Sequence, residues 1–221
     1  MDNFVGVDGN AIARILGQDG AQRDAEQSSV ASRPIYKTGI LNGKPIARFD
    51  GVDDLFNLSI EGGGFNVNAD ILAPARASKK AEFFIVYKAT GVAIEGILDL
   101  GTSAGSAWPL ANDHFQDACI SQTQLDLGVA ASSPRAGFII FNGSIDQNIP
   151  LRSYWVNGTL LLATGVAFGL GVPGSPNLGA TSVGKFAGDF AEYVFYASTL
   201  TIPQRNAIKN YLATKYGIAV V

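Results

Sequence analysis

The chain has 221 residues, 47% of them hydrophobic and only 16% charged, which supplies a core and excludes a disordered polymer. A net charge of −3 with no basic block excludes a nucleic-acid footprint, and no apolar run approaches the ~20 residues of a membrane-spanning helix. Cys119 is the only cysteine, so no internal disulfide can form; its apolar neighbours mark it as a packing thiol. The 26 glycines follow no collagen period and fit many turns between short strands, within the size range of one all-β domain.

In chain order, residues 1–18 are weakly patterned and are expected to form either an arm or a first strand, with the domain proper spanning 19–221. They lack the charged and apolar regions of a secretory leader. Ile40 to Phe49 reads as a strand pair about Asn42-Gly43, although Pro45 argues for an edge or a wider loop. Asp50-Gly51-Val52-Asp53-Asp54 reads as a turn. Phe83 to Lys88, apolar on both faces, predicts a central strand, and Ile94 to Leu100 another. A loop of small residues is expected through Trp108-Pro109, then strands at Phe138–Phe141 and Leu151–Val156. The second of these turns at Asn157-Gly158 into Thr159–Leu162, the clearest hairpin in the chain, because both central positions need φ > 0. A glycine-rich loop follows from Gly165 to Asn177, and a last strand from Phe190 to Tyr196.

One helix is sharply signalled. Thr201 is placed to cap it, Gln204 to complete a capping box, and Pro203 costs nothing in the first turn. Ile208, Tyr211, Leu212 and Tyr216 form an apolar stripe, with Arg205, Asn206, Lys209 and Asn210 facing away and Gly217 ending the helix. The stripe is expected to cover an edge of the sheet. The fold class that follows is all-β: a two-sheet antiparallel jelly-roll sandwich with a short C-terminal helix.

Four stretches resemble a known family: Gly20–Gln27; Arg33-Pro34-Ile35-Tyr36 running into Leu41–Gly51; Tyr154–Thr159; and Phe186–Tyr196 with the helix through Ile218. Together they are similar to the concanavalin A-like lectin/glucanase superfamily, in its laminin-G-like form found in bacteria and phages. The resemblance covers residues 19–218 and implies two curved sheets with ligands on the concave face or rim loops. It departs at residues 1–18, which lack the family's aromatic first strand.

The hydrolytic branch of that superfamily places carboxylates at Glu-x-Asp-x-x-Glu spacing along one strand, so that several reach one bond. Here Glu82, Glu95 and Glu192 each stand without an acidic partner two residues away, and the expectation is a non-catalytic protein. Gly101-Thr102-Ser103-Ala104-Gly105 fits a nucleophile elbow, but Trp108-Pro109 interrupts the helix it needs and His114, the only histidine, follows too soon. Gly169 to Gly174 fits a phosphate-binding glycine pattern, but Pro173 and Pro176 again bar the helix. One histidine and one cysteine argue against zinc. No cofactor is expected beyond calcium, for which Asp50, Asp53 and Asp54 offer hard oxygen ligands, although turn geometry also explains them. Asn142-Gly143-Ser144 and Asn157-Gly158-Thr159 have the form of glycosylation sequons and read better as turns.

Trp108, Tyr154, Trp155 and Phe168 are the aromatic candidates for a sugar-stacking platform, in competition with burial in the core. Two functions follow. The first is a virion surface or structural protein (a phage capsid decoration, head fibre or tail-associated protein) whose partners are other virion proteins, surface glycans or copies of itself in a homo-oligomer. It draws on a fold type that works outside cells in a chain without a leader. The second is a carbohydrate-binding module of a secreted or cell-surface bacterial protein.

Overall fold

The computed structural model describes residues 6–17, 24–58, 73–91, 95–99, 107–111, 114–117, 125–130, 136–149, 151–164, 177–180 and 184–221. These form two antiparallel sheets packed as a sandwich, with a helix on one outer face.

The seven-stranded sheet contains β3 (Ile35–Leu41), β4 (Lys44–Asp50), β6 (Lys80–Ala89), β11 (Ile139–Asp146), β12 (Leu151–Val156), β13 (Thr159–Thr164) and β15 (Ala187–Tyr196), in the order β13-β12-β11-β6-β15-β4-β3. The eight-stranded sheet runs β1-β2-β5-β14-β7-β8-β9-β10. Its strands are β1 (Arg14–Ile15), β2 (Ala25–Glu26), β5 (Phe56–Asn57), β7 (Glu95–Asp99), β8 (Ala107–Ala111), β9 (His114–Asp117), β10 (Leu125–Ala130) and β14 (Asn177–Leu178). A six-residue helix α1 (Ala73–Ser78) leads into β6, and α2 (Ile202–Tyr216) follows β15.

β6 is central because it is apolar on both sides. Phe83, Ile85 and Tyr87 point between the sheets, while Phe84 and Val86 point out beneath α2. The inter-sheet core centres on aromatic contacts: Phe49 meets Phe56, Phe186 and Phe190 at centroid distances of 5.9, 5.6 and 6.5 Å. Each such ring is worth roughly 1.5–3 kcal/mol of burial. Gly143 on β11 lies under the Phe83 ring, which would stand 2.2 Å from any Cβ placed there.

Both Asn-Gly hairpins form. Asn42 and Gly43 have φ of 51° and 75°, and Asn157 and Gly158 have 50° and 88°, the left-handed pairs that a two-residue turn requires. Pro45 does not push its strand to the sheet edge, since β4 pairs on both sides. Instead the β3–β4 register slips between Lys37↔Ile46 and Leu41↔Lys44, so the ladder is interrupted opposite the residue that has no N–H to give. Trp108-Pro109, expected in a loop, lies in β8, with Pro109 opposite Gly96 of β7 at another register shift. Asn142-Gly143-Ser144 is not a turn either; it is the middle of β11.

Within the described part of the N-terminal segment, Ile12 and Ile15 are buried and β1 pairs with β2. Asn10 and Ile12 exchange backbone hydrogen bonds with the Pro34–Tyr36 stretch. The loop strings at 101–105 and 169–174, Cys119 and Phe168 lie outside the described residues, as do the side chains of Trp108, His114 and Glu95. Among the described residues no helix is long and apolar enough to cross a membrane.

α2 carries its signals as expected: the Thr201–Gln204 capping box, Pro203 in the first turn and Gly217 at φ 66°. Its placement differs. It lies on the outer face of the seven-stranded sheet rather than at an edge, burying Leu212, Ala213 and Tyr216 against Leu41, Ile46, Phe84, Val86 and Ile140. Tyr211, expected in the stripe, is 52% exposed, and Arg205, expected to face solvent, turns inward. The apolar stripe is narrow because a buried carboxylate in the sheet requires a cation from the helix.

Candidate functional site

That carboxylate belongs to Glu82, which is 0% exposed in the outward-facing row of β6. Its Oε1 accepts from Arg205 Nε at 2.6 Å, and its Oε2 from Arg205 Nη2 at 3.0 Å and from the Leu200 N–H at 2.8 Å. Such a charge-assisted fork is the arrangement that makes a buried charge tolerable. The guanidinium also lies over the Trp155 ring, 4.5 Å from its centroid.

Asn142, one strand over on β11 and in register with both Phe84 and Trp155, completes the group. Its Nδ2 donates to Phe83 O at 2.8 Å and to Glu82 Oε1 at 3.3 Å. Both partners are acceptors, so the amide orientation is fixed: nitrogen toward β6, oxygen away from it. Asn142 Oδ1 is buried and has no hydrogen-bond partner among the described residues.

These residues surround a cleft of about 250 Å³ between the sheet and the N-terminal half of α2. Phe84, Ile140 and Asn142 come from the sheet, Trp155 and Gly158 from the β12–β13 hairpin, and Ile202, Arg205, Asn206 and Lys209 from the helix. Lys209 Nζ donates to the carbonyl of Val221, whose N–H bonds in turn to Asn157 O in the same hairpin turn. The cleft thus combines an indole, an apolar floor and donor and acceptor groups. Its volume is below the ~300–1,000 Å³ of drug-sized pockets.

Of the two aromatic candidates whose side chains are described, Trp155 is brought to this cleft. Tyr154, its neighbour, takes the opposite face of β12, is fully buried and stacks on Phe141 at 5.9 Å with an interplanar angle of 3°. Alternation along a strand allows only one of two adjacent residues to face outward, so Tyr154 is a core residue and not a platform. Asn142, Glu82 and Arg205 are the site residues that reading the sequence missed. The available signal was polarity inside apolar strands, since a buried Glu or Asn needs a partner from somewhere.

The aspartate group does come together. One carboxylate oxygen from each of Asp50, Asp53 and Asp54 lies within 4.8 Å of the others. The oxygens also serve the turn: Asp50 Oδ1 accepts from the Val52 and Asp53 N–H groups, Asp54 Oδ2 from the Asp50 N–H, and Asp53 Oδ2 from Ser32 Oγ. Burial, together with the negative charges of Asp50 and Asp53, pushes the Asp54 carboxyl up to about 6. Hard oxygens suit calcium, but three carboxylates supply only part of the 6–8 ligands it takes.

Two of the three strand glutamates have described side chains, and both are engaged in ion pairs. Glu82 is held by Arg205, and Glu192 Oε2 accepts from Lys215 Nζ at 2.9 Å and Tyr216 Oη at 2.8 Å.

No protein-family model and no curated protein matches the sequence. Solved structures do match the fold. The CBM40 of the Ruminococcus gnavus IT-sialidase, bound to α2,3-sialyllactose, is 17% identical with a TM-score of 0.56, over 74% of this chain and 96% of that one. Trypanosoma rangeli sialidase in complex with 2,3-difluoro-KDN is 9% identical with a TM-score of 0.60, over 99% of this chain and 33% of that one. The same sialidase in complex with the inhibitor DANA gives 10% identity and a TM-score of 0.55, over 92% and 31%. This chain thus spans about a third of the sialidase and nearly the whole of the CBM40. At such identities the likeness is one of fold: a jelly-roll-like β-sandwich similar to those of a carbohydrate-binding module and of part of a sialidase.

Proposed function

We propose that this protein is a non-catalytic glycan-binding module that works outside the cell or at a cell surface. The observation that carries the reading is the cleft in which the Trp155 ring stands beside a buried, unpartnered amide oxygen. An indole face stacks on the apolar face of a sugar ring, and fixed polar atoms then select among hydroxyl patterns. The concanavalin A-like resemblance supports the reading at the level of fold, as does the likeness to a CBM40 solved with sialyllactose. Those neighbours favour a carbohydrate-binding module over a virion surface protein, for which no structural observation speaks.

A glycan array probed with the purified protein, in calcium and again in chelator, tests the reading. Selective binding is the expected result, and binding lost on chelation would assign calcium to the Asp50–Asp54 turn. A blank array in both conditions would overturn the reading. Release of sugar product from any bound glycan would overturn its non-catalytic part.

A further inference from the structure

We infer that the cleft beneath α2 is the sugar seat, and that it seats a hydrogen-bond donor on a neutral ring: a hydroxyl or an acetamido N–H, not a carboxylate. The inference rests on the glycan-binding reading above and adds to it a place and a chemical class.

The donor requirement comes from Asn142. Its Nδ2 is committed to Phe83 O and Glu82 Oε1, and with that orientation fixed the only unused valence of the amide is the Oδ1 acceptor. A buried acceptor left unpaired is costly, and few persist in folded proteins without a reason. A ligand donor supplies the missing bond. A carboxylate would instead bring lone pairs against lone pairs.

The cations at the cleft do not reverse that preference. Arg205 spends Nε and Nη2 on Glu82 and Leu200 O, so its charge is largely neutralised in place. Lys209 is turned to the Val221 carbonyl. Size agrees with chemistry, since about 250 Å³ takes a single ring or its edge rather than an extended chain. Asn142 Oδ1 is closed to solvent in the free protein, so seating a donor on it requires the side chains over it to move. The cleft lies on the helix-covered side of the seven-stranded sheet.

The test is a ¹H–¹⁵N NMR titration of the full chain with four probes: N-acetylglucosamine, galactose, glucuronic acid and N-acetylneuraminic acid. Trp155→Phe identifies the Trp155 indole signal by its loss. Asn206→Trp fills the cleft from an exposed helix position, and a thermal melt checks that the variant stays folded. The expected result is that neutral sugars shift the Trp155 indole, the Arg205 Nε–H and the Asn142 side-chain amide together. Acidic sugars bind at least about ten-fold more weakly, as expected for a site that must hydrogen-bond a donor. In folded Asn206→Trp the shifts vanish. Shifts centred elsewhere, or surviving in Asn206→Trp, would overturn the seat while leaving glycan binding intact. A preference for the acidic sugars, or silence with all four alongside a positive array, would overturn the donor chemistry. Silence here together with a blank array would overturn both this inference and the reading beneath it.

Discussion

Asp54 is 4% exposed, and its carboxyl titrates at about 6 because burial and the charges of Asp50 and Asp53 oppose ionisation. Its reference value is 3.8, so between those two pH values the folded state keeps a proton that the unfolded state has lost. Stability therefore falls as pH rises through this window, and the whole penalty is present above pH 6. Asparagine keeps an oxygen for the Asp50 N–H and removes the charge. Asp54→Asn should match the parent at pH 4 and exceed it at pH 8 by up to about 3 kcal/mol, read from denaturant melts at the two pH values. If the turn holds calcium, the gain should shrink or reverse in saturating calcium, because the ion stabilises the charged form. Residue types foretold this turn, since Asp and Gly cluster where backbone N–H groups need acceptors. They could not foretell which of the three aspartates is buried.

At the scale of elements, what was legible is what is local. Both Asn-Gly hairpins, the capping box at Thr201, the terminator at Gly217 and the two-faced apolarity of β6 are each written within a few residues, and each formed. Partners distant in sequence were not legible. Arg205 sits 123 positions from Glu82, and helical periodicity alone sends it to solvent. Trp108-Pro109 looked like the end of a loop of small residues, and the register shift that admits Pro109 to a strand shows only in the pairing. The Glu82–Arg205 pair makes a test of how α2 is fastened. Arg205→Ala leaves a buried carboxylate uncompensated and should cost about 3–5 kcal/mol. Glu82→Gln combined with Arg205→Met removes both charges and should cost clearly less than Arg205→Ala alone. Equal losses in urea unfolding of the two proteins would mean that the helix is held by its apolar contacts and not by the pair.

For the whole molecule, the sandwich followed from short strands, abundant turn residues and a single closing helix. The candidate site did not, because it is assembled from four separated stretches: Glu82 and Phe84 on β6, Asn142 on β11, Trp155 on β12, and Arg205 on α2. Of the two aromatic candidates whose side chains are described, Trp155 reaches it and Tyr154 does not, and Asn142 and Arg205, which line the cleft, read in the sequence as a turn residue and a solvent-facing residue. The fold places that cleft on the side of the sandwich covered by the helix, so the proposed glycan seat exists only while α2 is docked. The most direct measurement of this account is one glycan array probed in parallel with the parent protein and with Asn206→Trp. The account predicts selective spots for the parent that fall at least about ten-fold for the folded variant, a loss of ~1.4 kcal/mol or more in binding free energy. Spots of equal strength for both proteins, or none for the parent, would contradict it.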